Sequence, residues 1–387
     1  MIEPRLRFKT DDGSDFPDWE EKELCQVLTE DLYPVANPKG AYTKLAIRSH
    51  GKGTFDRYVE AGEGLDVDKM FEVKANRLLV NITFAWELAI AITTEKDEGK
   101  LVSHRFPQYK IDGNVDFYRY RFINERMRYD LGIASPGGAG RNRVLNKSAF
   151  LKIRKFIPSL SEQQKIADFL STIDTIIEKQ QATVSAWEER KKGVMQKLFS
   201  QEVRFKADDG SDFPELEAKS LFDICEYKNK QSVGKNYVGT ENMKQNFSGL
   251  ESLDEETEMK GVCYCKGDTL MSNIRPYLRK TWKADREGVC STDVLVFHPI
   301  DVVSEYLHYL IASDKFISYV MTGVKGVKMP RGDKEHMMKF SIMVPSLPEQ
   351  QKIADCLSAL DAVIEKQKET LEKWQELKKG LLQQMFV

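Results

Sequence analysis

A close internal duplication constrains this chain more than any other feature. The stretch RFKTDDGSDFPDWEEKEL, Arg7 to Leu24, returns as RFKADDGSDFPELEAKSL, Arg204 to Leu221. The stretch PSLSEQQKIADFLSTID, Pro158 to Asp174, returns as PSLPEQQKIADCLSALD, Pro345 to Asp361. A fixed-period repeat sets the architecture before any single motif is weighed. Each half runs in the same order: a short acidic opening, a long divergent segment, then a helical arm. The divergent segments, about 28–157 and 225–344, share only echoes such as Leu78-Leu79-Val80-Asn81 against Thr269-Leu270-Met271-Ser272. Like frames around unlike inserts imply one scaffold presenting two different recognition surfaces.

The arms carry apolar residues at alternating four- and three-residue steps. In the first these are Ile166, Leu170, Ile173, Ile177, Val184, Trp187, Val194 and Leu198, with Gln180 and Lys191 in register. The second repeats them as Ile353, Leu357, Leu360, Ile364, Leu371, Trp374, Leu381 and Met385, with Gln367 and Lys378. A 3.5-residue period over several heptads predicts a coiled-coil seam. At 1.5 Å per residue each arm would be roughly 55 Å long. The seams match position for position, so the expected partner of each arm is the other, antiparallel, with Gln180 and Gln367 setting the register. Ser159 with Glu162, and Ser346 with Glu349, have capping-box spacing at the helix starts. The expected fold is α+β: two globular domains separated by two long helices in an antiparallel coiled coil, with pseudo-two-fold repetition. The expected boundaries are 1–157, 158–199, 200–344 and 345–387.

At 387 residues, 41% hydrophobic and 30% charged, the chain has the composition of a soluble globular protein with room for two cores. It has no apolar run of membrane-spanning length and no secretory leader pattern, so cytoplasmic residence without a membrane partner is expected. The six cysteines lack the paired spacing of a zinc or redox site, and no metal is expected. A net charge of −2 looks unsuited to a nucleic-acid partner until it is divided. The first insert holds about +6, the second about +1, and the frame about −9. Basic charge therefore sits on the inserts, where phosphates would be met.

Catalytic motifs fail one by one. Gly137-Gly138-Ala139-Gly140 lacks the Lys-Ser/Thr of a phosphate loop and the setting of a dinucleotide site. There is no nucleophile elbow and no H-E-x-x-H, and the five histidines lie apart. The Asp-Asp-Gly-Ser-Asp repeat resembles part of a calcium loop without its terminal glutamate, which leaves a structural turn.

Nucleic-acid signals are positive. Phe117-Tyr118-Arg119-Tyr120-Arg121-Phe122 interleaves cations with aromatics, and fits either a DNA-facing element or an element with one apolar and one solvated face. Arg141, Asn142 and Arg143 follow glycines, and arginine and asparagine are the side chains that pair bidentately with guanine and adenine edges. Counting back from the second arm, their counterparts are Lys325, Lys328 and Arg331. Further candidates are Arg48, Ser49 and Lys52, aligned with Asn242 and Lys244, and the group Asn273, Arg275 and Tyr277 after an expected strand.

This order of insert and PSL-x-EQQKIAD arm, twice over, resembles the specificity subunits of Type I restriction–modification enzymes. The resemblance spans the whole chain and includes Gly267-Asp268-Thr269-Leu270, Arg275-Pro276-Tyr277 and Cys290-Ser291-Thr292-Asp293, with Phe84 where Arg275 aligns. It implies a non-catalytic subunit that reads a bipartite, asymmetric double-stranded DNA target through its two inserts. The arms would fix the gap and dock two modification subunits, and restriction subunits could join them. S-adenosylmethionine, ATP and Mg would then be bound by the partners and not by this chain. A self-contained DNA methyltransferase or nuclease, and a coiled-coil scaffold without a DNA role, are the alternatives.

Overall fold

The computed structural model describes residues 4–64, 67–137, 143–253 and 255–386. Two compact units divide the chain: unit 1 comprises Met1–Lys179 and Leu371–Val387, and unit 2 comprises Gln180–Thr370. The arms, expected as separate spacer segments, are thus each divided between the units.

In unit 1 the strands are β1 (Glu20–Glu23), β2 (Leu28–Glu30), β3 (Pro34–Ala36), β4 (Tyr42–Ile47), β5 (Thr54–Val59), β6 (Lys69–Glu72), β7 (Arg77–Val80), β8 (Ile90–Ile92), β9 (Leu101–Val102), β10 (Gln108–Ile111) and β11 (Arg154–Ile157). They form a four-stranded sheet in the order β2-β10-β7-β8, a five-stranded sheet β3-β6-β9-β4-β5, and the pair β1-β11. Helices α1 (Val115–Phe122), α2 (Glu125–Ile133) and α3 (Lys147–Leu151) start at Asn114, Asn124 and Asn146, whose side chains each accept an N–H of the first turn. The long helix α4 (Leu160–Ser200) gives its first half to this unit.

Unit 2 contains β12 (Glu217–Ser220), α5 (Leu221–Ile224), β13 (Cys225–Lys228), β14 (Gln231–Gly234), β15 (Met259–Tyr264), β16 (Thr269–Ser272), β17 (Thr281–Lys283), β18 (Gly288–Cys290), β19 (Val294–Pro299) and β20 (Ser341–Val344). Its four-stranded sheet runs β13-β19-β16-β17, strand for strand the order of unit 1, beside a smaller sheet β14-β15-β18 and the pair β12-β20. Helices α6 (Ser304–Ile311), α7 (Asp314–Thr322) and α8 (Lys334–Met338) match α1 to α3 in length and place. The last long helix, α9 (Leu347–Met385), starts in unit 2. The inserts therefore share the four-stranded sheet and the three helices after it, which their sequences conceal, and differ in the second sheet.

The arms are built into the cores. In unit 1, Ile166, Leu170 and Ile173 of α4 are buried with Leu78, Phe117, Phe122, Met385 and Phe386, and Ile177, Leu381 and Leu382 pack on the same cluster. In unit 2, Ile353 and Leu357 of α9 are buried with Met271, Phe297, Leu307, Leu198 and Phe199, with Leu360 packed alongside. Helix pairing within each unit is antiparallel. Asp174 binds Lys378 in unit 1, and Asp361 binds Lys191 at 2.5 Å in unit 2. Gln180 donates from Nε2 to Gln367 Oε1 at 2.8 Å and to its carbonyl at 2.9 Å, which uses the polar seam position as a register lock. Ile364 is buried, whereas Trp187 and Trp374 are only half-buried, and Trp187 lies under the Arg190 guanidinium.

The two sequence repeats are halves of one structural device. Glu162 is fully buried and accepts from Arg7 Nε at 3.2 Å, Arg7 Nη2 at 2.9 Å and Trp19 Nε1 at 3.1 Å. Glu349 accepts from Arg204 Nε at 3.0 Å and Nη2 at 2.6 Å. Gln163 accepts the Asn114 N–H and donates to the Pro158 carbonyl, and Gln350 does the same with Val303 and Pro345. Lys165 reaches Asp11 and Lys352 reaches Asp208. These contacts correct the capping-box expectation. Ser159 Oγ accepts the Glu162 N–H at a long 3.4 Å, but the carboxylate bonds to the opening arginine and not back to the helix start. Burial decides it: a fully enclosed carboxylate needs a cation more than a second amide. The Asp-Asp-Gly-Ser-Asp segment is the expected turn, closed by a Thr10 N–H to Ser14 carbonyl bond of 2.9 Å. Hydrogen bonds from Thr10 and Ser14 hold the Asp12 carboxyl down to about 2.

Candidate nucleic-acid interface

In unit 2 three loops are tied together by backbone hydrogen bonds beyond the end of β16. The middle one is a single 3-10 turn, Pro276–Leu278, flanked by Arg275 and Arg279, both in the left-handed region at φ 51° and 55°. Proline at the first position of the turn supplies no N–H, so none is left unpaired there. On one side the Arg275 N–H donates to the Pro330 carbonyl at 2.8 Å, and Ile274 bridges to Arg331. Lys325 and Arg331 exchange two backbone bonds of 2.9 Å, making a hairpin whose exposed tip holds Val327 and Lys328. On the other side Asn246 and Phe247, at φ 54° and 61°, donate to the carbonyls of Leu278 and Arg279 at 3.1 and 2.7 Å.

Unit 1 builds the same frame. After β7 the 3-10 turn Ala85–Glu87 ends on Leu88 at φ 59°. His50 and Gly51, at φ 62° and 65°, donate to the carbonyls of Glu87 and Leu88 at 2.7 and 3.0 Å. Leu145 donates to the Ile82 carbonyl at 2.8 Å, on the side where the hairpin sits in unit 2. The Asn81 N–H to Ala89 carbonyl bond and the Ser272 N–H to Lys280 carbonyl bond are both 3.0 Å. The turns therefore align without a gap, Phe84 on Arg275 and Trp86 on Tyr277.

Most of the candidate residues from the sequence fall on these frames. Asn273, Arg275, Tyr277, Lys325, Lys328 and Arg331 gather in unit 2, and the loop of Asn242 and Lys244 adjoins them through its bonds to Leu278 and Arg279. Arg48, Ser49 and Lys52 occupy the equivalent loop of unit 1. Arg141 and Asn142 lie outside the described residues. Arg143 packs its guanidinium over the Trp86 ring at 5.4 Å and donates to the carbonyls of Ser135 and Gly132. That geometry makes Arg143 a brace for the loop.

Partners sort the candidates by chemistry. Arg331 is held by Asp293 at 3.0 Å, and Lys325 by Asp333. The hydrogen bond between Lys325 and Asp333 raises the lysine pKa and lowers that of the aspartate. Asn242 spends its carboxamide oxygen on the Gly239 N–H at 2.8 Å, and Ser49 donates to Glu87 at 2.7 Å. Arg48 donates to the Thr54 carbonyl at 2.6 Å and covers the Phe55 ring. Asn273 is buried, with its Oδ1 unpartnered. Arg275, Lys328, Lys244 and Lys52 are exposed and have no side-chain partner among the described residues. Among the candidates these four cations are free to meet phosphates or base edges, and the Tyr277 ring is half-exposed on the same turn as Arg275.

The sequence reading aligned Phe84 with Arg275 but did not single out Trp86 on the unit 1 turn. The signal was present in the Leu78–Asn81 and Thr269–Ser272 echo, which carries forward without a gap. It also left open whether Phe117 to Phe122 faces DNA. The segment is α1, and Phe117, Tyr118, Tyr120, Arg121 and Phe122 are all buried. None of those side chains is on a recognition surface.

The comparisons with known proteins agree with one another. The chain matches the family described as Type I restriction modification DNA specificity domain over residues 82–185 and 214–373, more than half of its length. It is 24% identical over 283 residues to the Type I restriction enzyme MjaVIII specificity subunit of Methanocaldococcus jannaschii, 66% of each chain. It is 27% identical over 157 residues to the EcoDI specificity subunit of Escherichia coli, 39% of this chain and 34% of that one. Each alignment thus spans less than two thirds of the relative. The fold resembles the S subunit of a Type-I restriction-modification system from M. genitalium, with a TM-score of 0.54 and 14% identity over 100% of this chain and 99% of that one. It also resembles a chain from a structure of complex assembly and conformational transition in a type I R-M system, at TM-score 0.60 and 15% identity over 96% and 98% of the two chains. With its duplicated frame and paired arms, the chain belongs to the family of the Type I restriction modification DNA specificity domain.

Proposed function

We propose that this chain reads a two-part double-stranded DNA target, one part through each unit, and leaves the chemistry to partner subunits. The observation that carries the reading is the shared three-loop frame holding different side chains: Phe84 and Trp86 in unit 1, Arg275 and Tyr277 in unit 2. One backbone geometry with two sets of contacts is what two unlike half-sites require, because base edges are distinguished by side-chain donors and acceptors. In this reading the chain is a non-catalytic subunit. Two modification subunits dock on its frame and bind S-adenosylmethionine, and restriction subunits add ATP- and Mg-dependent steps. No described helix is long and apolar enough to cross a membrane, and the expected setting is cytoplasmic.

The test is the joint substitution Arg275→Ala and Lys328→Ala in the assembled complex, read by mapping methylated sites on a DNA library. Loss of a bidentate base contact costs about 1–3 kcal/mol, so one half-site should become degenerate while the other stays intact. Equal weakening at both half-sites, or none at either, would sink the assignment.

A further inference from the structure

One buried charge in unit 1 has no counterpart in unit 2. Arg121, on the last turn of α1, is only 2% exposed, and its Nε and Nη1 are enclosed without a hydrogen-bond partner. The nearby Asp130 acts on it through its charge, without a hydrogen bond or a close ion pair. That carboxylate is held by Lys155 at 2.5 Å and Arg126 at 3.5 Å. The guanidinium lies over the Phe386 ring, 5.8 Å from its centroid. At the equivalent places in unit 2 stand Leu310 for Arg121, Tyr319 for Asp130 and Ile342 for Lys155, and Leu310 and Ile342 are buried core. The fold therefore does not need charge there. An unpaired buried guanidinium is costly, and it persists where something outside the fold offsets it.

A cavity of about 530 Å³ opens beside it, lined by residues of unit 1. Its walls include Arg121 and Lys155 inside, and Arg126, Lys152 and Arg154 toward the rim, against Glu21 and Asp130. Glu21 faces Arg154 at 3.6 Å, which leaves the inner wall cationic. Burial pushes the Arg121 pKa down to about 10, so the group stays charged at neutral pH. A volume of this size suits a small ligand, and a guanidinium charge on the wall attracts an oxyanion.

We propose that this cavity is a binding site for a small phosphate-bearing ligand, anchored by the enclosed Arg121 guanidinium and admitted past Arg126 and Lys152. It is distinct from the three-loop frames and does not depend on the DNA reading. Two sources share this chemistry, free phosphate and a nucleoside monophosphate, and titration of each separates them.

The experiment is calorimetric titration of the full chain with inorganic phosphate and with adenosine monophosphate at matched ionic strength, alongside thermal unfolding. Saturable binding of either is expected, and Arg121→Leu, which installs the residue of unit 2, should weaken it at least about tenfold. Without ligand, Arg121→Leu should raise Tm by about 2–4 °C, because it removes an unpaired buried charge. Should that variant fail to fold, the exposed pair Arg126→Ala and Lys152→Ala should weaken binding several-fold at unchanged Tm. No saturable binding, binding by duplex DNA alone, unchanged affinity in the variants, or a Tm lowered by Arg121→Leu would each overturn the proposal.

Discussion

In unit 1 the turn after the central strand presents Phe84 and Trp86, whereas the same turn in unit 2 presents Arg275 and Tyr277. The backbone bonds around the turns agree to within a few tenths of an ångström. The opposite holds at the frame, where Arg7 with Glu162 and Arg204 with Glu349 keep the same side chains. The contrast teaches where each kind of constraint acts. A buried carboxylate must keep its cation, so the frame cannot vary without loss of stability. A loop held by its own backbone can exchange every exposed side chain at little structural cost. A protein built this way can change what it reads without changing how it folds.

The sharpest way to break the comparison is at the frame. Glu162→Ala should cost about 3 kcal/mol, because the carboxylate is fully buried and holds both Arg7 and the Trp19 N–H. Glu349→Ala should cost less, about 2 kcal/mol, since Leu216 stands where Trp19 would and the arginine is its only described side-chain partner. Denaturant unfolding of the two variants measures both, and equal losses would remove the distinction.

A second asymmetry is one of pH. His308 on α6 is depressed to about 4, first by burial and then by the Lys191 charge, with Asp361, Lys283 and Glu305 also acting on it. Its Nδ1 is enclosed without a partner. The folded state thus binds the proton less readily than the unfolded chain. Its contribution is intact above pH 6.5 and is lost as pH falls toward about 4. The matching residue of unit 1 is Arg119, so that unit has no histidine at this place. Acidification should loosen unit 2 before unit 1, read by hydrogen exchange at pH 7 and pH 5, and His308→Gln should abolish the difference. Simultaneous loosening in the wild type would contradict it.

The smallest expected effect concerns a likeness. Tyr120 donates to Asp174 at 2.7 Å under Lys378, and Tyr309 donates to Asp361 at 2.8 Å under Lys191. Each trio fastens a globular layer to its helix pair. Tyr120→Phe and Tyr309→Phe should each cost about 1 kcal/mol, with the second slightly larger because Ser358 also meets that hydroxyl at 3.1 Å. A large difference between the two midpoints of unfolding would show that the trios are not equivalent.

The amino-acid sequence by itself determined the frame. Heptads, the repeated openings and the helix starts are local patterns, and a 3.5-residue apolar period leaves a helix one face to bury. It also placed Lys191 and Lys378 in the seam, though not their aspartates. The tertiary structure alone decided three things. Glu162 found its partner 155 residues away, which no local spacing encodes. The three-loop frames coincide because backbone N–H and carbonyl groups, carried by every residue type, make their bonds. Arg121, one of several cations in an aromatic run, is buried because α1 turns that face inward, while Arg119 on the same helix pairs with Asp116 at 3.3 Å. Periodicity reveals a face, but which charge the fold encloses depends on what packs against it.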